Sequence, residues 1–240
     1  MATELDLNTY DGIAEFYDVL MTNGYYNYAK LTKDLEEIIG ERKELMELGV
    51  GTGLIAERLL KSNPEYKITG IDNTPSMLEQ AKERLGDKIK YELQDVTQLS
   101  LENKFDAAFS VGGCWYFIDK TEELEFCSHI DCLENCKESL RRVVDHLKTN
   151  AVLALALQAI HTNYSKRLDE DLTYSQEIFL EKTGFVKRYR FENSKGIIAE
   201  QFYRYLTLPA LQAHNFFAEL NCEPVGLNPT RKFFVYRKIA

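Results

Sequence analysis

The sequence predicts an α/β protein with a doubly wound, mostly parallel sheet of seven strands, and three observations support this prediction. Short apolar runs that are typical of strands alternate with helical patterns between residues 44 and 157. The first run, residues 44–48, leads directly into Gly49-Val50-Gly51-Thr52-Gly53, a turn from strand to helix. The almost wholly apolar run at 151–157 is typical of a strand that is buried on both faces of a sheet.

The glycine-rich turn at 49–53 predicts a nucleoside site. Glycine lacks a Cβ atom, so the backbone can pass close to a ligand, and the following helix points free N–H groups into the same space. Asp72 ends the next apolar strand, 67–71, where a carboxylate can accept hydrogen bonds from both hydroxyls of a ribose. The dinucleotide fingerprint G-x-G-x-x-G requires a glycine where this chain has Leu54, so a nicotinamide cofactor is disfavoured.

Length and charge limit the classes of partner. The 240 residues suit one α/β domain with an embellishment, and 45% hydrophobic residues are enough for a substantial core. Acidic residues outnumber basic ones, 38 to 29, and no Lys/Arg-rich run stands out, which disfavours a nucleic-acid substrate. No apolar run reaches the roughly 18 residues of a membrane span. The acidic start of the chain lacks the features of a signal peptide, so a cytoplasmic protein without a membrane partner is expected.

The cysteines show no C-x-x-C pair. Cys127, Cys132 and Cys136, with His129 between them, suggest a metal site. However, these residues fall within 121–147, whose pattern predicts one long helix. Only Cys132 and Cys136 would share a face of that helix. The sequence therefore predicts no metal site. It predicts buried free thiols at Cys114, Cys127, Cys132, Cys136 and Cys222.

The turn with its preceding acid, Glu47-Leu48-Gly49-Val50-Gly51-Thr52-Gly53, resembles motif I of the class I S-adenosylmethionine-dependent methyltransferases, acid-x-G-x-G-x-G. The resemblance implies a Rossmann-like sheet and S-adenosylmethionine as the cofactor. It also implies a set of cofactor-binding residues: Tyr17, Glu47, Gly49, Val50, Gly51, Gly53, Asp72, Asn73, Met77, Asp95, Val96, Ser110 and Val111.

Three later segments extend the resemblance. It places Met77 against the adenine ring, and the alternative is an ordinary core methionine. Gln94-Asp95-Val96 resembles the corner that binds adenine, with Asp95 accepting from the exocyclic amine, and the alternative is a solvated loop acid. Residues 105–111 resemble motif IV and lead into a loop, 112–116, that should face the transferable methyl group.

The first 40 residues are expected to form a helical lid. The stretch Tyr10-Asp11-Gly12-Ile13-Ala14-Glu15-Phe16-Tyr17-Asp18 resembles the N-terminal lid of small-molecule methyltransferases. That resemblance implies that Tyr17 reaches the cofactor or the reacting groups and that Tyr10 reaches the substrate. The alternative is that these aromatic side chains only dock the helix on the core.

After strand five the helical pattern gives way to alternation, which predicts antiparallel strands at 174–180, 186–192 and 197–208. This order resembles the methyltransferases that N-methylate amino sugars or glycine-like small molecules, in which such an insertion forms a wall of the active site. A single methyltransferase domain is therefore expected, made of a lid (1–40), a cofactor-binding core (41–157), an antiparallel insertion (158–208), and a closing helix with two strands (209–240).

Aromatic and amide side chains are the candidates for the acceptor pocket, because they suit a flat or polyhydroxylated small molecule. Of the four histidines, only His161 is placed near the pocket mouth, just after strand five, so it is the candidate catalytic base. The alternative for His161 is a surface position, and the alternative for the strand tyrosines is a homodimer interface. The candidate substrate-binding residues are Tyr10, Gly113, Trp115, Tyr116, Gln158, Tyr174, Gln176, Gln201 and Tyr203.

The resemblance implies methyl transfer from S-adenosylmethionine to a small-molecule acceptor, with a nitrogen acceptor favoured. One alternative is O-methylation of a phenol, hydroxyl or carboxylate. Another is a protein that binds the cofactor without turnover, since its cofactor motifs would be the same.

Calorimetry of the purified protein tests the cofactor. S-adenosylmethionine and S-adenosylhomocysteine should bind, because the turn and the strand-end acids Asp72 and Asp95 match a nucleoside with a free ribose. NADH should not bind, because Leu54 replaces the third glycine of the dinucleotide fingerprint. Tight binding of NADH with no response to S-adenosylhomocysteine would contradict the cofactor assignment.

Overall fold

A computed structural model describes residues 9–121 and 123–240. Its helices are α1 (Ala14–Leu20), α2 (Tyr28–Ile39), α3 (Leu54–Ser62), α4 (Pro75–Leu85), α5 (Leu133–Asp145) and α6 (Ala210–Glu219). Its strands are β1 (Glu44–Leu48), β2 (Lys67–Asp72), β3 (Lys90–Leu93), β4 (Phe105–Ser110), β5 (Trp115–Asp119), β6 (Leu124–Ser128), β7 (Leu147–Ala159), β8 (Tyr164–Asp169), β9 (Leu172–Glu181), β10 (Gly184–Asn193), β11 (Gly196–Pro209), β12 (Cys222–Leu227) and β13 (Phe233–Lys238).

The main sheet has the strand order β3-β2-β1-β4-β7-β13-β12. The first five of these strands are mutually parallel, and β13 is antiparallel to both of its neighbours. The order reverses beside β1, which is the switch point where ligands bind in open α/β sheets. The predicted doubly wound sheet of seven strands is confirmed.

Two helical layers cover the main sheet. Apolar residues of α2, α3 and α4 bury one face, and apolar residues of α5 and α6 bury the other. Side chains of β1 show the division, since Leu45 faces the first layer and Met46 the second. The alternation follows from strand geometry, in which successive side chains point to opposite faces.

The prediction of one long helix over 121–147 is wrong. Strand β6 occupies its first part, and α5 begins only after Cys132. Phe126 and Cys127 are both buried although they point to opposite faces of the sheet. A strand covered on both faces has no period of two, so periodicity does not distinguish it from a buried helix.

The antiparallel insertion is larger than predicted. Strand β5 runs parallel to the end of β7 and joins the main sheet to a second series of strands, in the order β5-β6-β11-β10-β9-β8. Three of these, β9 to β11, match the three predicted strands. Strand β8 was not predicted because its side chains are mostly exposed and show no apolar alternation.

The prediction that Trp115 lines the acceptor pocket is wrong. Trp115 and Phe117 point toward α5 and α6, and the Trp115 side chain is 0% exposed. The next residue, Tyr116, points to the opposite face, where the candidate site lies. The period of two in strand β5 therefore separates the two aromatic residues that the sequence placed together.

Replacing Trp115 tests this placement. We expect Trp115→Ala to destabilise the fold by about 3–5 kcal/mol, because it empties a large volume in a close-packed core. Trp115→Phe should cost much less, and denaturant unfolding measures both. Unchanged stability combined with a loss of methyl transfer would return Trp115 to the acceptor pocket.

Candidate active site

A cavity of about 960 Å³, counted with the space open to solvent, lies beyond the carboxyl ends of β1, β2 and β4. We call it the cofactor cavity. Its wall combines the glycine turn, the ends of three strands, part of the N-terminal segment and one residue of β11. The lining residues are Tyr10, Tyr17, Gly49, Gly51, Ile71, Asp72, Asn73, Met77, Gln94, Asp95, Val96, Thr97, Gly112, Gly113, Cys114, His129, Ile130, Asp131, Asn135 and Tyr203.

The turn after β1 depends on glycine at two positions. Gly49 has φ +70°, and a Cβ there would lie 2.6 Å from the Cα of Gly113. Two backbone segments therefore cross in direct contact, which a side chain on Gly49 would prevent. Gly51 has φ +55°, and its N–H donates to Oδ2 of Asp72 at 2.8 Å.

Asp72 is held by backbone donors on two sides. Its Oδ1 accepts from the N–H of Thr74 at 2.9 Å, and its Oδ2 accepts from Gly51. Burial raises the pKa of Asp72, and the N–H groups partly oppose that effect. A carboxylate has about four lone-pair sites, so Asp72 can accept further hydrogen bonds from ribose hydroxyls in the cavity. These residues therefore fit an adenosine group.

Residues after β2 and β3 complete the wall around that position. Met77 is buried at the start of α4, and Val96 is buried in the short turn after β3. The Oδ1 of Asp95 accepts from the N–H of Thr97 at 2.7 Å, which fixes the carboxylate at the rim of the cavity. The structure thus brings Met77, Asp95 and Val96 together with Asp72 and Asn73, as the resemblance implies.

Glu47 lies behind the turn and does not line the cavity. Its side chain is 2% exposed, and within the part of the chain that the structure describes its Oε2 has no hydrogen-bond partner. Burial and the nearby charge of Asp72 raise the pKa of Glu47 well above its usual range. Glu47 is therefore a buried neighbour of the turn and not part of the cavity surface.

Four other predicted cofactor residues also lie outside the cavity wall. Val50 packs against Gly70, and Gly53 approaches Leu85 of α4. Ser110 is buried, and Val111 packs against the core. Their placement makes Val50, Gly53, Ser110 and Val111 supports of the cavity rather than parts of its surface.

Helix α1 is fastened to the glycine turn and α4. Oδ1 of Asp18 accepts from the hydroxyl of Thr52 at 2.5 Å, and Oδ2 pairs with the guanidinium of Arg84. Nε of Arg84 donates to the Thr52 carbonyl oxygen at 2.8 Å. These contacts hold Tyr17 over the glycine turn. A Cβ on Gly51 would lie 3.9 Å from Tyr17 Cε1. Residues 1–8 of the predicted lid lie outside the described residues.

A smaller space of about 260 Å³, counted with the space open to solvent, adjoins the cofactor cavity, and we call it the inner chamber. The centre of a water-sized sphere can occupy only about 10 Å³ of it, so its side chains would have to move apart to admit an acceptor. Tyr10, Tyr17, Gly112 and His129 line both spaces, and we call these four residues the collar. The chamber wall is mainly aromatic. Its lining residues are Tyr10, Tyr17, Met21, Tyr25, Tyr26, Gly112, Tyr116, His129, Gln158, His161, Tyr189 and Tyr205.

Hydrogen bonds join the polar groups of the chamber in pairs. The hydroxyl of Tyr116 lies 2.9 Å from Nε2 of His161, and the hydroxyls of Tyr189 and Tyr205 are also 2.9 Å apart. Burial raises the pKa of each of these tyrosines well above its usual range. The phenols are therefore neutral, and each retains a proton that it can donate.

Both histidines near the collar are neutral. Burial, followed by the nearby charge of Lys187, lowers the pKa of His129 and of His161 to about 3. His129 was assigned to the long helix from the sequence, so its place in the collar was missed. Its ring packs edge-on against Tyr205, with the centroids 4.7 Å apart.

The predicted acceptor residues divide between several places. Tyr10, Gly113 and Tyr203 line the cofactor cavity, and Tyr10, Tyr116, Gln158 and His161 line the inner chamber. Gln176 borders a separate outer groove, together with Gln158 and His161.

Besides Trp115 and Gln176, two further predicted acceptor residues line neither space. Tyr174 is 0% exposed and packs against Tyr189 and Phe191, so its prediction as a pocket wall is wrong. It lies on β9, one strand farther from the chamber than Tyr189 of β10. Gln201 lies beside Gly12, where its Oε1 would be 2.5 Å from an added Cβ, and it supports the N-terminal segment.

The described residues contain no group of three His, Cys, Asp or Glu side chains that could hold a metal ion. Cys127, Cys136 and Cys222 are buried free thiols, whereas Cys132 is exposed and Cys114 is half-buried. None of the helices in residues 9–121 and 123–240 is long and apolar enough to span a bilayer. The cytoplasmic location and the homodimer stay predictions.

A family comparison decides what kind of domain surrounds the cofactor cavity. Residues 45–150 match the family model described as "Methyltransferase domain". We call these residues, which make up a little under half of the chain, the methyltransferase domain. The match confirms the predicted resemblance to the S-adenosylmethionine-dependent methyltransferases, which is the resemblance that implies S-adenosylmethionine as the cofactor.

Curated relatives of the methyltransferase domain act on different acceptors. Malonyl-acyl-carrier-protein O-methyltransferase 1 of Ilyobacter polytropus is 30% identical over 162 residues, which cover 64% of this chain and 56% of that protein. Demethylmenaquinone methyltransferase of Thermotoga maritima is 32% identical over 130 residues, or 52% of this chain and 56% of that protein. The chain thus spans a little over half the length of these relatives.

Solved structures show the same fold over nearly the whole chain. An S-adenosylmethionine-dependent methyltransferase from Clostridium acetobutylicum matches with a TM-score of 0.72 and 15% identity, covering 96% of this chain and 99% of that one. A sugar N-methyltransferase from a Streptoalloteichus species matches with a TM-score of 0.70 and 17% identity, covering 93% of both chains.

Replacing Asp72 tests the ribose site of the methyltransferase domain. Asp72→Ala should weaken binding of S-adenosylhomocysteine by about 10- to 150-fold, because hydrogen bonds to a charged group contribute roughly 1.5–3 kcal/mol. Calorimetry measures the dissociation constant. Asp87→Ala, which removes an exposed carboxylate from the turn after α4, is the matched control. Equal affinity in the two variants would make Asp72 a structural turn residue.

Proposed function

We propose that this chain transfers a methyl group from S-adenosylmethionine to a nitrogen of a small molecule that is bound in the inner chamber. The junction of the two spaces at the collar is the observation that supports it most directly. A cofactor and an acceptor that occupy separate spaces can meet only where those spaces join. Tyr10, Tyr17, Gly112 and His129 surround that point.

The cofactor half of the site is formed by the turn and the strand ends. Asp72 would hold the ribose hydroxyls, Met77 and Val96 would pack against the adenine, and Asp95 would accept from its amino group. Gly49 and Gly51 allow the remainder of the molecule to approach the backbone. When bound, S-adenosylmethionine supplies a methyl group on a sulfonium, which a nucleophile displaces in line.

The collar would align the reactants and exclude water. Tyr17 covers the glycine turn and contacts Tyr10 edge-on, with ring centroids 5.6 Å apart. Tyr10 stacks in turn on Tyr203 of the insertion, at 4.6 Å. The N-terminal lid and the antiparallel insertion therefore meet over the reaction point. Methyl transfer gains mainly from such alignment in a water-poor site.

The composition of the chamber favours a neutral nitrogen. Among the described residues, no Asp or Glu lines the chamber, so no carboxylate is in place to hold an ammonium group. The buried side chain of Lys187 lies just behind the wall, and in its ammonium form it also disfavours a second cation. An amine must be neutral to act as a nucleophile.

We assign His161 an orienting role beside the nucleophile. Its imidazole is neutral, which is the form of a base, but its lowered pKa of about 3 disfavours storage of a proton. His161 would instead accept a hydrogen bond from Tyr116 and fix the direction of that hydroxyl. Tyr116 would then contact the acceptor.

Likeness to the sugar N-methyltransferase over 93% of both chains supports the nitrogen acceptor. Methylation of a carboxylate oxygen is a second candidate, since the 30%-identical relative is a malonyl-acyl-carrier-protein O-methyltransferase and the chamber presents several phenol donors. Alkaline treatment distinguishes the products, because a methyl ester hydrolyses and an N-methyl group does not.

A methyl-release screen over metabolite amines, phenols and acids tests the proposed function. With the acceptor so identified, Tyr116→Phe should lower kcat/KM by about 2- to 10-fold, the value of one net hydrogen bond, while the affinity for S-adenosylhomocysteine stays unchanged. Tyr66→Phe removes a hydroxyl from a buried tyrosine that lines neither space and should leave both quantities unchanged. Cofactor binding without turnover in any acceptor class would favour a binding protein.

A further inference from the structure

Lys187 is a fully buried lysine on an aromatic face. Strand β10 directs Phe185, Lys187, Tyr189 and Phe191 inward, and Lys187 is 0% exposed. A lysine at such a position removes an ammonium group from water, which is costly unless a partner compensates it.

The partners of Lys187 are aromatic. Nζ donates to the hydroxyl of Tyr25 at 2.9 Å and lies 4.3 Å from the centroid of the Tyr189 ring. Among residues 9–121 and 123–240, no carboxylate forms an ion pair with it; the nearby thiol of Cys127 is neutral, since burial raises its pKa. The ammonium thus lacks a negative partner.

The hydrogen bond from Lys187 gives Tyr25 a defined polarity. Because the oxygen of Tyr25 accepts from Nζ, the hydroxyl proton remains available for a different acceptor. Tyr25 lines the inner chamber, whereas Lys187 lies behind the wall. Tyr25 also lines the outer groove, so the lysine strengthens the hydroxyl donor of a residue that borders both spaces, as hydrogen bonds in a chain polarise one another.

We propose that Lys187 and Tyr25 form an anion anchor, and that the acceptor of the methyl group is a small molecule that carries a carboxylate. This inference takes one point from the proposed function, namely that the acceptor binds in the inner chamber. The carboxylate would accept from Tyr25 and supply the negative charge that Lys187 lacks. The other phenols add neutral donors, and no acid of the described chamber wall opposes an anion.

The Lys187–Tyr25 pair should make the binding of carboxylic acids depend on pH. Burial lowers the pKa of Lys187 to about 7, so at pH 8 most of the lysine is neutral in the free protein. A bound carboxylate favours the ammonium form, so acids should bind with uptake of a proton. The titratable groups around Nζ are Tyr25, Tyr189, Cys127, His129 and His161, and all of them are neutral at this pH.

Binding of matched acids and amides tests the anchor. The protein is saturated with S-adenosylhomocysteine and titrated at pH 6.5 with acetate and acetamide, and with benzoate and benzamide, by NMR. The acid of each pair should bind at least about tenfold more tightly, as expected for a hydrogen bond to a charged group. Lys187→Met and Tyr25→Phe should each remove most of that preference. At pH 8, calorimetry in two buffers of different ionisation enthalpy should show proton uptake with acetate.

Lys33→Met, which removes an exposed lysine of α2, is the control and should keep the preference for acids. Lys187→Met keeps nearly the same volume and removes a buried charge, so it should fold, and Tyr25→Phe provides an independent variant. Equal binding of acid and amide, no binding of either, or an unchanged preference in both variants would overturn the anchor. These measurements need no turnover, so methyl transfer stands or fails separately in the screen.

Discussion

The contact of two backbone segments at Gly49 and Gly113 is the constraint on which the site depends. A Cβ on Gly113 would lie 2.3 Å from the carbonyl oxygen of Leu48, so the ends of β1 and β4 approach as closely as peptide groups allow. The N–H of Gly51 then reaches Asp72 at the end of β2. Three strand ends are thereby fixed around one cavity. The fixed floor allows the lid and the insertion to meet above it, because both pack against the same strand ends.

In the inner chamber, which is the proposed acceptor side, buried polar groups form hydrogen bonds with one another. These bonds compensate for the hydration that the groups lose on burial. Phenols pair with phenols or with an imidazole, and the ammonium of Lys187 pairs with a phenol and an aromatic face. Such groups lose hydration on burial, and their pKa values shift toward the neutral forms. A chamber of neutral donors with one polarised hydroxyl is selective, since an unmatched polar group in a ligand would remain without a partner.

The sequence allowed the glycine turn and Asp72 to be placed beside one cavity because their signals are local. Gly49, Gly51 and Asp72 lie within one strand-turn-helix-strand unit, and Pro75 marks the start of α4 as its fixed φ requires. Trp115 and His129 could not be placed, because Trp115 begins β5 and His129 follows β6, two strands that are buried on both faces and show no period of two. Lys187 could have been suspected, since strict alternation of β10 directs it inward with Tyr189. Its partner Tyr25, 162 residues away in sequence, could not.

This difference between the two halves explains how similar chains can act on different acceptors. The family match, residues 45–150, contains the whole set that would hold adenosine: the turn, Asp72, Met77 and Asp95. Most of the chamber wall lies outside it, on the N-terminal segment, at the end of β7 and in the loop after it, and on β10 and β11. These residues include Tyr25, Gln158, His161, Tyr189 and Tyr205. Only Gly112, Tyr116 and His129 of the chamber belong to the matched region. Under the proposed function, cofactor chemistry would be inherited with the domain, while the choice of acceptor would change through residues that the family match does not cover. In this chain Lys187, the buried lysine behind the chamber wall, also lies outside the match.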